Sequence, residues 1–216
     1  MRFDRVKKLF GKNFEAIKNA NIIILGVGGV GGFALDALYR TGVQNITIVD
    51  FDIFDETNQN RQIGSFDGIG KAKVEHLATI YKDIKIINER ITKQWIDEFD
   101  FSQFDFILDA IDDIEPKVYL ISKYYQKVIS SGGSAKRIDP LKIEYIDINE
   151  TYNDPFIRKI RQELKKIGFN KKFNIIFSSE NPICDTLGSF VGVTGAFGLA
   201  MSSITVQKII SKYELK

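Results

Sequence analysis

The stretch NIIILGVGGVGG, Asn21 to Gly32, limits the possible folds of this chain more than any other. Its opening, NIIILG, is a short continuous apolar run, the pattern of a strand buried on both faces. Glycines follow at Gly26, Gly28, Gly29 and Gly31, where a backbone can turn tightly and approach a phosphate with no Cβ in the way. Phe33, Leu35, Ala37 and Leu38 then fall in a helical segment that stops at Gly42. Ile46 to Asp50 is a second strand. Strand, glycine turn, helix and strand in this order open a doubly wound parallel sheet. The free N–H groups at the start of such a helix attract an anion. Asp50 ends the second strand, about 20 residues past the turn, where dinucleotide folds place an acid on a ribose hydroxyl pair. Turn and acid together indicate a nucleotide and leave NAD and ATP equally open.

The alternation continues. Arg5 to Lys18 carries Val6, Leu9, Phe10, Phe14 and Ile17 near one face and reads as a lead-in helix. Helices are expected over Lys71–Tyr81 and Glu115–Lys127, the latter with Pro116 at a tolerated first-turn position. Strands are expected over Ile84–Asn88, Phe104–Ala110 and Val128–Gly133. Then the pattern changes. Leu141–Ile148 alternates like a strand with one wet face, and Asp154–Pro155 supplies a cap and first-turn proline for a helix ending near Gly168. Asn174–Ser179 is a further strand, and Ser189–Tyr213 reads as one or two packed helices. The expected class is α/β: a doubly wound, Rossmann-like, mostly parallel sheet with mixed strands and helices toward the C-terminus. The 216 residues suit a single domain, with a nucleotide half over 1–135 and a second half over 136–216.

Composition closes off several classes. One cysteine permits neither an internal disulfide nor a zinc site of paired Cys-x-x-Cys, and one histidine with no fixed partners leaves hydrolase triads out of reach. The charged N-terminus lacks the apolar core of a secretory signal. Phe190 to Ile210 is interrupted by Gly192, Gly195, Gly198, Gln207 and Lys208 and falls short of a clean membrane span of about 20 apolar residues. The expectation is a cytoplasmic protein with no membrane partner. A net charge of +2 means that any nucleic-acid footprint must be local.

Asp50–Gly64 and Gly70–His76 separate the two nucleotides. A dehydrogenase has no special use there for Asn58, Asn60, Arg61 and Lys73. An enzyme that adenylates a carboxylate expels pyrophosphate, so negative charge builds on the triphosphate, and Arg and Lys are suited to bind it. Mg2+ is also required, held through one or two carboxylates. Asp112 follows the strand that ends in acid and stands at the carboxyl edge of the sheet, where ligands bind.

RFDR (Arg2–Arg5), GVGGVG, VDFD (Val49–Asp52), N-x-N-R-Q (Asn58–Gln62), G-K-x-K (Gly70–Lys73) and DAIDD (Asp109–Asp113), in this order and approximate spacing, resemble the ubiquitin-activating superfamily of adenylating enzymes. The resemblance implies that Asp50 holds the ribose, that Asp52 lies beside it in the nucleotide site, and that Arg61 and Lys73 bind the triphosphate. It implies Mg2+ on Asp112 and a polar contact from Asn58 near the phosphates. Arg5 matches the arginine that such enzymes insert into a partner subunit's site, which implies a homodimer. Asp109 reads instead as a structural acid at a strand end.

In the second half, IDP (Ile138–Pro140), DI-x-x-T (Asp147–Thr151), Asp154–Pro155, FSSE (Phe177–Glu180) and the GSFVGVTGAFG tail resemble the branch that acts on tRNA, the threonylcarbamoyladenosine dehydratases. This implies a tRNA carrying threonylcarbamoyladenosine as substrate, its carboxylate adenylated by ATP and the ring then closed with loss of AMP. It also casts residues 136–216 as the tRNA-binding and dimerisation half. The pattern of the helix after Asp154 is compatible with this. Phe156, Ile157, Ile160, Leu164 and Ile167 fall near one face, while Arg158, Lys159, Arg161, Lys165 and Lys166 crowd the rest, with Lys171 and Lys172 beyond. On residues alone that stripe is equally a phosphate track and a solvated face; the resemblance favours RNA. Backbone carbonyls of Phe190–Gly198 are a candidate monovalent-cation site. The sequence leaves open an accessory sulfur-relay protein. The alternative within the fold is adenylation of a ubiquitin-like sulfur carrier, with Cys184 as acyl acceptor. The alternative outside it is an NAD-binding oxidoreductase or a nucleotide-sensing module. His76 and Trp95 read as structural, and zinc is not expected.

Overall fold

The computed structural model describes residues 1–214. Two short helices, α1 (Asp4–Phe10) and α2 (Phe14–Asn19), lead into β1 (Asn21–Leu25), α3 (Gly29–Thr41), β2 (Asn45–Val49), α4 (Ser65–Gly68), α5 (Lys73–Ile80) and β3 (Lys85–Ile87). There follow α6 (Lys93–Glu98), β4 (Phe106–Asp109), α7 (Ile114–Tyr124), β5 (Val128–Ser131), β6 (Ile143–Asp147), α8 (Pro155–Lys166), β7 (Asn174–Ser178) and α9 (Val191–Glu214). All seven strands join one sheet in the order β3-β2-β1-β4-β5-β7-β6. Every pairing is parallel except the last, in which Tyr145 of β6 faces Ile176 of β7 in an antiparallel register. The expected α/β class, mostly parallel with mixed C-terminal strands, is what the chain adopts.

The continuous apolar runs follow from burial on both faces. In β1, Ile22 and Ile24 enter the core under α3 and α9, while Ile23 and Leu25 enter the opposite core under α7 and α8. Leu35 and Leu38 of α3 meet Phe197 and Met201 of α9 in the first core; Leu120 and Ile121 of α7 meet Ile157 and Ile160 of α8 in the second.

Several boundaries differ from the sequence reading. The single lead-in helix over Arg5–Lys18 is two helices, because Gly11 takes a positive φ of 52° and ends the first. The helix expected to reach Lys127 stops at Tyr124, and Gly132 and Gly133 lie beyond their strand. The edge strand β6 does not alternate cleanly: only Glu144 is exposed, because Ile143 and Tyr145 pack toward one core and Ile146 toward the other. Ser189–Tyr213 resolves to one helix. By length and hydropathy α9 does reach the composition of a membrane span, against the expectation from its interrupting glycines, with 56% of its apolar window buried in the fold. Those glycines serve packing. A Cβ on Gly198 would stand 2.3 Å from the Val30 carbonyl oxygen, so α9 rests directly on the α3 backbone. Gly198→Ala is therefore expected to lower unfolding stability by about 1–3 kcal/mol, as overpacked interiors do, read from the urea midpoint.

Candidate active site

The sheet order decides where a ligand enters. From β1 the strands step outward through β2 and β3, and from β4 the other way through β5. The crevice beyond the carboxyl ends at this divergence is the ligand position of open α/β sheets. Gly26 leaves β1 at φ +83°; a Cβ there would lie 2.9 Å from the Ala110 carbonyl oxygen, and one on Gly31 would lie 1.9 Å from the Gly26 carbonyl oxygen. The turn is thus pressed onto the end of β4. Among the described residues no side chain caps α3, so the N–H groups of its first turn remain available to an anion.

Asp50 stands opposite, at the end of β2. Its Oδ2 accepts from the Val27 N–H at 2.8 Å and its Oδ1 from the Asp52 N–H at 2.9 Å, which leaves further lone pairs for a hydroxyl pair. Burial pushes its carboxyl above the ordinary range, while the Asp52 N–H and the Lys73 charge pull it back. Lys73, 5% exposed, donates to Asp52 Oδ2 at 2.9 Å. Arg61 reaches from the loop before α4, its Nη1 bonded to the Thr57 carbonyl and Asn60 Oδ1.

These groups surround a cavity of about 810 Å³. A second cavity, about 1220 Å³, adjoins it and is walled by Ser131–Arg137, Asp154, Phe156 and Lys159. Val30, Arg61, Ala110, Ile111, Asp112 and Ser134 line both, so the two open onto each other. Asp112 stands exposed at the junction and makes no hydrogen bond or ion pair among the described residues, unlike its neighbour Asp113, which caps α7. Beneath it, Asp109 and Lys117 form a fully buried ion pair at 2.8 Å. Burial pulls the Lys117 ammonium down from its usual value and Asp109 pulls it back.

The sequence profile of the ThiF family matches residues 4–216. The chain belongs to the ThiF family. Among curated ThiF-like relatives, the tRNA threonylcarbamoyladenosine dehydratase of Bacillus subtilis is 37% identical over 193 residues, 84% of this chain and 76% of that protein. The Haemophilus influenzae protein of the same name is 31% identical, covering 98% of this chain and 94% of its own. The solved structure of Escherichia coli tRNA N6-threonylcarbamoyladenosine dehydratase in complex with ATP superposes with a TM-score of 0.95 at 30% identity, over 100% of this chain and 96% of that one.

Within the ThiF-family fold, Gly26, Gly28, Gly29, Asp50, Asp52, Asn58, Arg61, Lys73 and Asp112 all line the smaller cavity. Gly31 does not; it underlies the turn. Asn58 is 5% exposed and spends its side chain on the loop itself, accepting from the Asp55 N–H and donating to Asp55 Oδ1, so it shapes the segment that carries Arg61. Arg5 is exposed on α1 and lines neither cavity. Cys184 is exposed on the wall of the larger cavity. His76 is buried against Asp67 and Phe54, and Trp95 stacks on Phe99; both are packing residues. Asp109 is the structural acid its position implied. The proposed cation site among Phe190–Gly198 carbonyls is not built as a loop: from Val191 on these residues are α9, whose ladder engages their carbonyls.

The basic stripe is narrower than the sequence implies. Arg158, Lys159, Lys165 and Lys166 are exposed on α8, Lys166 paired with Glu163. Arg161 turns inward, its Nη1 donating to the Ile148 and Thr151 carbonyls and to Thr151 Oγ1. Ile167, placed by periodicity on the apolar face, is 56% exposed past the helix end. Two residues escaped the sequence reading. Lys117 carries a signal in retrospect, a charge in register with the buried Leu120 and Ile121 of its helix. Arg137 carries none: it is 4% exposed and donates to the carbonyls of Gly133, Ala135, Asn153 and Glu180, which pins the wall of the larger cavity. Arg161→Ala is expected to cost about 1–3 kcal/mol of unfolding free energy, since it strands buried carbonyls, whereas Arg158→Ala stays within about 0.5 kcal/mol. Urea denaturation of the two variants side by side measures the difference.

Proposed function

We propose that this chain is an ATP-dependent tRNA threonylcarbamoyladenosine dehydratase. The observation that carries the reading is the junction of two cavities at Arg61 and Asp112, one built for a nucleotide and the other open to a second substrate. The named relatives and the ATP complex of the E. coli structure support it.

In this reading ATP lies along the smaller cavity, its ribose on Asp50 and its phosphates toward the α3 N-terminus, Arg61 and Lys73. The modified adenosine enters the larger cavity, so that its carboxylate reaches the α-phosphate at the junction. A tRNA base next to the anticodon is in a single-stranded loop, where it can be splayed out into a protein. Attack expels pyrophosphate, and the carbamoyl group of the same substituent then closes the ring onto the acyl-adenylate carbon and releases AMP. The protein's part is to align the reactants and neutralise developing charge, with the cations of Arg61 and Lys73 set in place beforehand. Asp112, exposed at the junction and without an ion pair among the described residues, would hold Mg2+ through its carboxylate. Among the described residues no group of three acidic, His or Cys side chains offers a full protein cage. Bound there, Mg2+ supplies charge neutralisation on the phosphates.

Lys159 lines the larger cavity and continues into Arg158, Lys165 and Lys166 on the same helix, a track for the anticodon-stem phosphates. Arg5, exposed on α1, would reach the nucleotide cavity of a second copy, which makes the working unit a homodimer. Residues 1–135 then serve ATP and 136–216 the tRNA and the dimer contact, in a cytoplasmic enzyme. Adenylation of a sulfur-carrier protein is the second reading, favoured only by Cys184 on the cavity wall.

With ATP, Mg2+ and tRNA carrying threonylcarbamoyladenosine, the wild type is expected to release AMP and pyrophosphate while the nucleoside loses one water by mass spectrometry. Arg61→Ala and Asp112→Ala each lower turnover by about 100-fold or more. Pyrophosphate release that appears only with a carrier protein ending in Gly-Gly, the tRNA unchanged, would overturn the reading. The stripe makes a separate claim: Lys165→Ala with Lys159→Ala weakens tRNA binding and flattens the log Kd versus log salt slope by about 1–2, measured by fluorescence anisotropy.

A further inference from the structure

The buried ammonium of Lys117 takes no part in the chemistry above, yet every bond it makes leads toward the junction. From the first turn of α7, Nζ pairs with Asp109 Oδ2 at 2.8 Å and donates to the Asp109 carbonyl at 3.3 Å and to Ser130 Oγ at 3.2 Å. Ser130 Oγ donates to Asp109 Oδ2 at 2.6 Å, and the Ile111 N–H donates to Asp109 Oδ1 at 3.1 Å. All three side chains are 0% exposed. The ammonium and both oxygens of the carboxylate are thereby partnered.

Such a pair gains the fold little over apolar side chains of the same volume, because desolvation offsets the attraction. What it fixes is position. Asp109 ends β4, and the next residues, Ala110 to Asp112, line both cavities. Ser130 lies in β5, and the next residues, Ser131 to Gly133, wall the larger cavity alone. One ammonium therefore ties the strand that delivers Asp112 to the strand that delivers the substrate wall. We propose that Lys117 is a positioning residue, which sets Asp112 relative to the Ser131–Gly133 wall so that nucleotide and carboxylate meet in line. Being fully buried, it touches neither reactant. The proposal rests on the adenylation reading and adds to it a residue outside the motif contacts.

The decisive variant is Asp109→Asn with Lys117→Met, which removes both charges and nearly preserves volume. The new amide still accepts from Ile111 and donates to Ser130. Urea midpoint, ATP affinity by calorimetry, the rate of pyrophosphate release at saturating substrates and the Mg2+ concentration at half-maximal rate are all measured on full-length protein. The double variant is expected to fold and to bind ATP within about threefold of wild type, while kcat falls about 10- to 100-fold, the range of a small misplacement of reacting groups, and the Mg2+ requirement rises. Wild-type kcat and Mg2+ dependence in the folded double variant would overturn the proposal and leave the pair a structural one. Should the double variant not fold, Ser130→Ala decides, since it keeps both charges and removes only the tie to β5. A severalfold drop in kcat at unchanged ATP affinity supports positioning, and wild-type kcat refutes it. No pyrophosphate from the wild type itself would instead sink the adenylation reading beneath it.

Discussion

Gly31 has no side chain because the Gly26 carbonyl oxygen occupies the space where one would go, 1.9 Å from an ideal Cβ. That contact is only one layer of a close-packed stack. Gly26 is itself pressed on the Ala110 carbonyl, Gly29 would meet Thr194 at 2.4 Å, and Gly198 lies against the Val30 carbonyl. The turn that faces the nucleotide is therefore held from below by β4 and from behind by α9. Backbone packed on backbone has no side-chain rotamers to absorb a shift, so the free N–H groups of α3 are fixed before any anion arrives. The remaining geometry follows from this turn: Asp50 is placed by its bond to the Val27 N–H, and Asp112 by the strand end that the turn abuts.

How much of this was legible depended on where the physics was local. The β1–turn–α3–β2 unit read correctly because doubly buried strands, glycines and a helix stop all leave their mark within a few residues. The residues singled out in the first half, Gly31 and Arg5 apart, come together on one cavity because each belongs to a short motif at a sheet edge. The misses are of another kind. Whether Arg161 faces RNA or the carbonyls of Ile148 and Thr151 depends on a neighbouring loop that no helical repeat encodes. Arg137 bonds carbonyls up to 43 positions away, and Lys117 bonds a strand 13 positions on, so neither partner can be seen from the residue itself. Asn58 lies in the right motif, yet a capping bond three residues back claims its side chain.

The cations around the smaller cavity and those on α8 differ in how they are held. Around the smaller cavity the motif cations are partnered and held: Lys73 by Asp52, Arg61 by the Thr57 carbonyl. Fixed, partly desolvated charges of this kind act strongly and only at short range. On α8, Arg158, Lys159 and Lys165 stand in solvent with no ion pair among the described residues, where attraction extends over about a Debye length of 8–10 Å and fades with salt. One set suits a reaction that needs placement, the other a large polyanion that must first be gathered.

The long helix α9 has a consequence for how the chain becomes a protein. It follows the other described elements in sequence, yet it covers α3 and completes the core beneath the phosphate turn. During synthesis, which proceeds at about 5–20 residues per second, the apolar face of α3 stays bare until α9 has left the ribosome. Until then the chain carries an open hydrophobic surface, and the late helix has the composition of a membrane segment. The nascent protein is thus exposed to chaperones, aggregation and mistargeting through the interval between α3 and α9, and the nucleotide turn acquires its rigid backing only when α9 docks.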